Sequence, residues 1–125
     1  MAQEMMGKYP DSLLHNYRNR GELLNGKIIF DAASKGDKAG EQAVEKYIKY
    51  LSYGIASCIY IFDPECIILG GGISNQGRNL EVMVKQAVEK EIDLPEKCPD
   101  IVCAELGNDA GIIGAALNFP KKLAI

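Results

Sequence analysis

The chain has 125 residues, 47% of them apolar and 25% charged, with a net charge of −3 and a pI near 5.2. That length fits one domain or a large part of one, and can bury a real core. The 14 Lys and Arg residues are scattered singly or in pairs such as Lys121-Lys122, so no basic stripe offers a surface to nucleic acid. The longest apolar stretch, residues 55–62, is much too short to span a bilayer, no signal peptide opens the chain, and a membrane role is not expected.

Residues 1–38 read as short helices joined by loops. Tyr9-Pro10-Asp11-Ser12 is a turn followed by a helix start, and Asn25-Gly26 is a second break before a short helix over 28–34. Gly36 suits a left-handed residue closing that helix, and Asp37 is placed to cap the next one. The next helix is the longest, residues 38–62. Ala43, Tyr47, Leu51, Ile55 and Ile59 recur at spacing four, with Val44, Ile48 and Ala56 beside them, which makes a broad apolar stripe. Its second half is apolar nearly all round and is expected to be sandwiched in the core. Asp63-Pro64 stops it, because proline cannot continue the ladder.

Cys66 to Leu69 then form a short apolar run rich in β-branched residues, which suits a strand buried on both faces of a parallel sheet. It ends at Gly70-Gly71-Gly72. A helix over about 79–91 follows, with Val82, Val84, Ala87, Val88 and Ile92 as its apolar face and Glu81, Lys85, Glu89 and Lys90 as its wet face. Residues 94–100 carry Pro95 and Pro99 and read as a loop. Residues 101–106 alternate as a second strand, Gly107-Asn108-Asp109 breaks it, and a helix runs from Ala110 to about Asn118. The tail, residues 119–125, is expected to fray. Strand, helix and strand over 65–106 should close as a parallel pair with a right-handed crossover. Two strands make a small sheet, so either short β pieces lie elsewhere or further strands extend it.

Both strands run into glycine-bearing polar loops that open helices. Three glycines at a strand's carboxyl end remove every Cβ, so a ligand or another backbone can approach closely. On that segment alone, a ligand site and a plain tight turn stand level. Familiar nucleotide motifs do not match. Gly72 to Gly77 has P-loop spacing, but Arg78-Asn79 stands where lysine and a hydroxyl are needed, and a dinucleotide fingerprint would want glycine at Asn75. Asn108-Asp109 reads as a helix N-cap or, second, as a contact to ligand hydroxyls. Gly111 and Gly114, with Ala110 and Ala115, suggest close packing of the last helix.

The four cysteines, Cys58, Cys66, Cys98 and Cys103, form no Cys-x-x-Cys pair, and His15 is the single histidine. Cys58 and Cys66 lie in apolar runs, where a free thiol behaves as a small buried hydrophobe. Structural thiols fit better than zinc ligands or disulfides and are in keeping with a reducing cytoplasm, so no zinc is expected in this chain. His15 reads as a packing or surface residue. No arrangement of nucleophile and base is visible.

Asp63-Pro64-Glu65-Cys66-Ile67-Ile68-Leu69-Gly70-Gly71-Gly72-Ile73-Ser74 resembles a characteristic segment of the ROK family, which comprises sugar kinases such as bacterial glucokinases and sugar-responsive repressors. Leu106-Gly107-Asn108-Asp109-Ala110-Gly111-Ile112-Ile113-Gly114-Ala115-Ala116 is similar to that family's closing segment. Lys35-Gly36-Asp37 before a long helix also fits. The resemblance runs firmly from about Gly36 to Asn118. It implies an α/β fold of the actin-like ATPase (ribonuclease H-like) kind, mostly helical with a short parallel β-α-β unit. Residues 1–125 would be one domain, the C-terminal, nucleotide-side part of such a protein.

Carried over residue by residue, the resemblance makes Gly70, Gly71, Gly72, Ser74, Asn75 and Asn108 the nucleotide-binding residues, with no catalytic residue in this chain. It implies ATP or ADP with Mg, and a hexose, in the full-length parent. The family's Asp-x-Gly-Gly-Thr, Glu-x-Gly-His and Cys-x-Cys-Gly-x-x-Gly-Cys segments are absent from these residues, as is its catalytic aspartate. The expectation is therefore a fragment of an ATP-dependent hexose kinase that is inactive alone. The alternatives are the matching part of a sugar-sensing repressor, or a self-associating module using the long apolar helix. A homo-oligomer is expected.

Overall fold

The structure, a computed structural model, describes residues 1–118. Its elements are α1 (Ala2–Lys8), α2 (Leu13–Asn19), α3 (Gly26–Ser34), α4 (Lys38–Phe62), β1 (Cys66–Leu69), α5 (Arg78–Glu91), β2 (Asp100–Cys103) and α6 (Ala110–Leu117). The 3₁₀ turns Gly72–Gln76, Pro95–Lys97 and Gly107–Asp109 lie between them. The expected fraying of 119–125 lies outside the described residues.

Helix starts follow the capping residues. Ser12 Oγ accepts from Leu14 N, Asn25 Oδ1 from Ile28 N, and Asp37 Oδ2 from Gly40 N. Gly36 has φ +80, as a residue just beyond a helix end requires. The long helix α4 stops where expected, with Asp63 left-handed at φ 44. Its stripe is real: Ala43, Val44, Ile48, Ile55, Ala56 and Ile59 are buried.

β1 and β2 pair in parallel with Ile67 opposite Ile101 and Leu69 opposite Cys103. These four share the face that packs on α4 and α5. Successive strand side chains alternate, so Cys66, Ile68 and Val102 point the other way and are exposed. The expectation that β1 is buried on both faces is corrected: Ile68 is 67% exposed. The cause is a two-stranded sheet covered on one face only among the described residues.

The second half of α4 is not enclosed, since Tyr50, Tyr53, Tyr60, Ile61 and Phe62 are all exposed. Cys58 and Cys66 are free but exposed, because apolar neighbours in sequence do not put a residue on the covered face. On α5 the buried row is Leu80, Val84 and Val88, running on to Ile92, while Val82 is exposed. β2 ends at Cys103 rather than at 106, where the chain turns away. Helix α6 has no buried residue, and a Cβ at Gly111 or Gly114 would meet nothing within 4 Å, so those glycines serve no close packing here. No described helix is long and apolar enough to cross a membrane.

Candidate functional site: two glycine loops at one sheet edge

Parallel pairing brings the carboxyl ends of β1 and β2 together, and with them the loops 70–77 and 107–109. The loops touch. A Cβ on Gly107 would sit 3.3 Å from Asn75 Oδ1, and Gly107 has φ +55, a backbone conformation that favours glycine. Ala104 N donates to Leu69 O at 2.8 Å, extending the ladder one step past β2 and holding the second loop against the first.

Within the first loop, Gly71 is left-handed at φ +82. Ser74 is buried, and its hydroxyl donates to Gly71 O at 2.6 Å, so it braces the turn from inside. Gly70, Gly71 and Gly72 form a bare ridge: a Cβ on any of them would meet nothing within 4 Å. That open strip is the space a flat ligand needs against backbone. Gly77, at φ +58, ends the loop, and Arg78 opens α5 directly after it. Positive charge at a helix N-terminus favours an anion.

Beside the ridge, Ile73 lines an apolar cavity of about 430 Å³ together with Gly26, Ile29, Phe30 and Tyr47. Burial raises the Tyr47 hydroxyl pKa above its usual 10.0, so it stays protonated as a hydrogen-bonding group. A somewhat larger cavity, about 480 Å³, lies between α4 and α5 around Ile48, Ser52 and Met83. Charged side chains of both signs, Glu41, Glu45, Lys49, Lys90 and Glu91, also line it, and none of its lining residues belongs to either glycine loop.

The structure thus brings Gly70, Gly71, Gly72, Ser74, Asn75 and the backbone of Asn108 to one edge. Ser74 contributes by holding the loop. Asp109 makes no side-chain cap to α6, so the N-cap reading does not hold for it. Four residues that shape or hold these loops were given no such role from the sequence: Ile73, Gly77, Glu81 and Cys103. Gly77 carried a signal in its loop-closing place before a helix. Glu81, assigned to a wet face, instead accepts from Cys103 N at 2.7 Å. Among the described residues, no group of three or more His, Cys, Asp or Glu could hold a metal ion.

The ROK family profile matches residues 10–122. The chain belongs to the ROK family. It is 35% identical over 120 residues to a glucokinase of Thermotoga maritima, covering 93% of this chain and 37% of that protein. An N-acetyl-D-glucosamine kinase of Haemophilus influenzae is 33% identical over 107 residues, covering 85% and 35% respectively. Among solved structures, a ROK family glucokinase from Streptomyces griseus, in complex with glucose and AMPPNP, matches with TM-score 0.77 and 26% identity. That match covers 92% of this chain and 38% of the other. The fold is accordingly that of the ROK sugar kinases, the actin-like ATPase class, and this ROK chain spans little more than a third of those relatives' length.

Proposed function

We propose that this chain is the nucleotide-side portion of an ATP-dependent hexose kinase, supplying the adenosine-binding wall of the cleft. Gly70, Gly71 and Gly72 lie against the nucleotide, Asn75 and Asn108 flank it, and the apolar cavity at Ile73 takes the planar base. The observation that carries this is the run of three glycines, each with open space where a Cβ would stand, at the carboxyl end of β1 beside that of β2. Glycine is the residue that lets a ring approach backbone this closely. The matching glucokinase was solved with an ATP analogue and glucose, which supports the same ligand classes for the parent of this chain.

Phosphoryl transfer is mainly positioning and charge stabilisation around the transferred group. The family's phosphate-binding, sugar-contacting and base-bearing segments are not among these residues, so the chain alone binds nucleotide and catalyses no transfer. When bound, Mg²⁺ would screen the phosphate charge, held chiefly by the nucleotide.

The test is an ADP titration followed by backbone amide NMR. Signals of 70–75 and 107–109 shift together with one dissociation constant. No movement at millimolar ADP rejects the nucleotide reading for this chain.

A further inference from the structure

Glu81 lies in the first turn of α5, four residues past Gly77, where the glycine loop ends. Its Oε1 accepts from Cys103 N at 2.7 Å, a short bond to a charged acceptor. Neighbouring N–H groups along a strand point to opposite sides. Ala104 N turns inward to Leu69 O, so Cys103 N faces the outer edge of β2, where no strand of the described residues receives it. The carboxylate fills that vacant place in the ladder. The Cys103 thiol adds a second tie, donating to Gly77 O at 3.5 Å. The end of β2 is therefore held on both sides, by β1 within the sheet and by the start of α5 outside it. From that clamped point the chain takes only Ala104, Glu105 and Leu106 to reach Gly107, which rests on Asn75.

We propose that Glu81 is a positioning residue that sets the gap between the two loops, and hence the width of the cleft wall. Its consequence for ligand rests on the nucleotide reading above; its consequence for the loops does not. An ordinary exposed helix glutamate touches no loop. This one links the last residue of one loop, through a single turn of helix, to the residue from which the other loop departs.

The experiment compares amide spectra of the wild-type chain with Glu81→Gln, Glu81→Asp and Glu81→Ala, first without ligand and then with ADP. Gln keeps an acceptor oxygen at the same reach, and Asp is one methylene short. Without ligand, Glu81→Ala shifts signals across 70–77 and 103–109, Glu81→Asp shifts them less, and Glu81→Gln leaves them near wild type. ADP affinity falls about tenfold in Glu81→Ala and stays within about twofold in Glu81→Gln. A residue that only stabilised the fold would lower the urea midpoint with both loops and affinity unmoved, and that result overturns the proposal. Should Glu81→Ala not fold, the Asp and Gln variants carry the comparison. A wild-type chain silent to ADP removes the nucleotide reading, while the ligand-free loop shifts still decide the role of Glu81.

Discussion

Ser12 Oγ donates a 2.8 Å hydrogen bond to Asp37 Oδ2, tying the turn before α2 to the cap of α4 across 25 residues of chain. The same carboxylate accepts from Leu13 N at 2.7 Å and from Gly40 N at 2.9 Å. Asp37 therefore caps one helix while anchoring the start of another. Replacing it with alanine strands three donors in or near the core. We expect Asp37→Ala to cost about 2–4 kcal/mol and Asp37→Asn clearly less, read from urea midpoints.

Two glycines of α4 should respond to alanine with opposite signs. A Cβ at Gly40 would lie 2.7 Å from Ala33 N and 3.2 Å from the Ala32 carbonyl carbon, both backbone atoms of α3. Those atoms cannot step aside without opening the α3–α4 contact, so Gly40→Ala should destabilise by about 1–3 kcal/mol. Gly54 is exposed and meets nothing within 4 Å. Gly54→Ala should stabilise by about 0.5–1 kcal/mol through helix propensity. Thermal or urea unfolding of both variants checks the pair.

The thiols give a pH prediction. Burial, then the nearby Glu81 carboxylate, raises the Cys103 pKa above its usual 9.0; burial, then Glu89, raises that of Cys98. The folded chain thus holds these protons more tightly than the unfolded chain. Their contribution to stability is complete below the ordinary thiol value and is lost as pH rises through the higher folded value. The urea midpoint should fall as pH passes above 9.0, and a Cys98→Ser, Cys103→Ser double variant should flatten that fall. Exposed Cys58 and Cys66 should react first with an aromatic disulfide reagent.

Glycines of the ridge separate binding from folding. Gly70 and Gly72 have open space at the Cβ position and no positive φ, whereas Gly71 is left-handed at φ +82. Gly70→Ala and Gly72→Ala should leave the unfolding midpoint nearly unchanged while weakening ADP about tenfold or more, as a methyl group enters the ligand's space. Gly71→Ala should lose stability as well, by about 1 kcal/mol. Wild-type ADP affinity in Gly70→Ala and Gly72→Ala would place the ligand elsewhere.

Much of the fold was legible because local chemistry decided it. Asp37, Ser12 and Asn25 start helices with their own side chains, and Pro64 ends α4 whatever surrounds it. The parallel pairing of β1 and β2 followed from strand, helix and strand. Which faces are covered was not local. Val82 and Leu80 are equally apolar, yet only the row Leu80, Val84, Val88, Ile92 at spacing four faces the sheet, and that row was there to be counted. Cys66 sits among isoleucines but on the outward face, which alternation from buried Leu69 would have shown. For the site, the glycine ridge was plain in the sequence. Glu81 was not, since nothing nearby in the chain distinguishes a glutamate that reaches a strand from one that meets water.

Glu81 has a consequence beyond the loops. A strand at the rim of a sheet is a template onto which another chain can add, and β1 and β2 pair only with each other among the described residues. By occupying the Cys103 N–H, Glu81 withdraws one rung of that template at the carboxyl end of β2. A strand adding along the outer side of β2 would therefore find its last donor already taken.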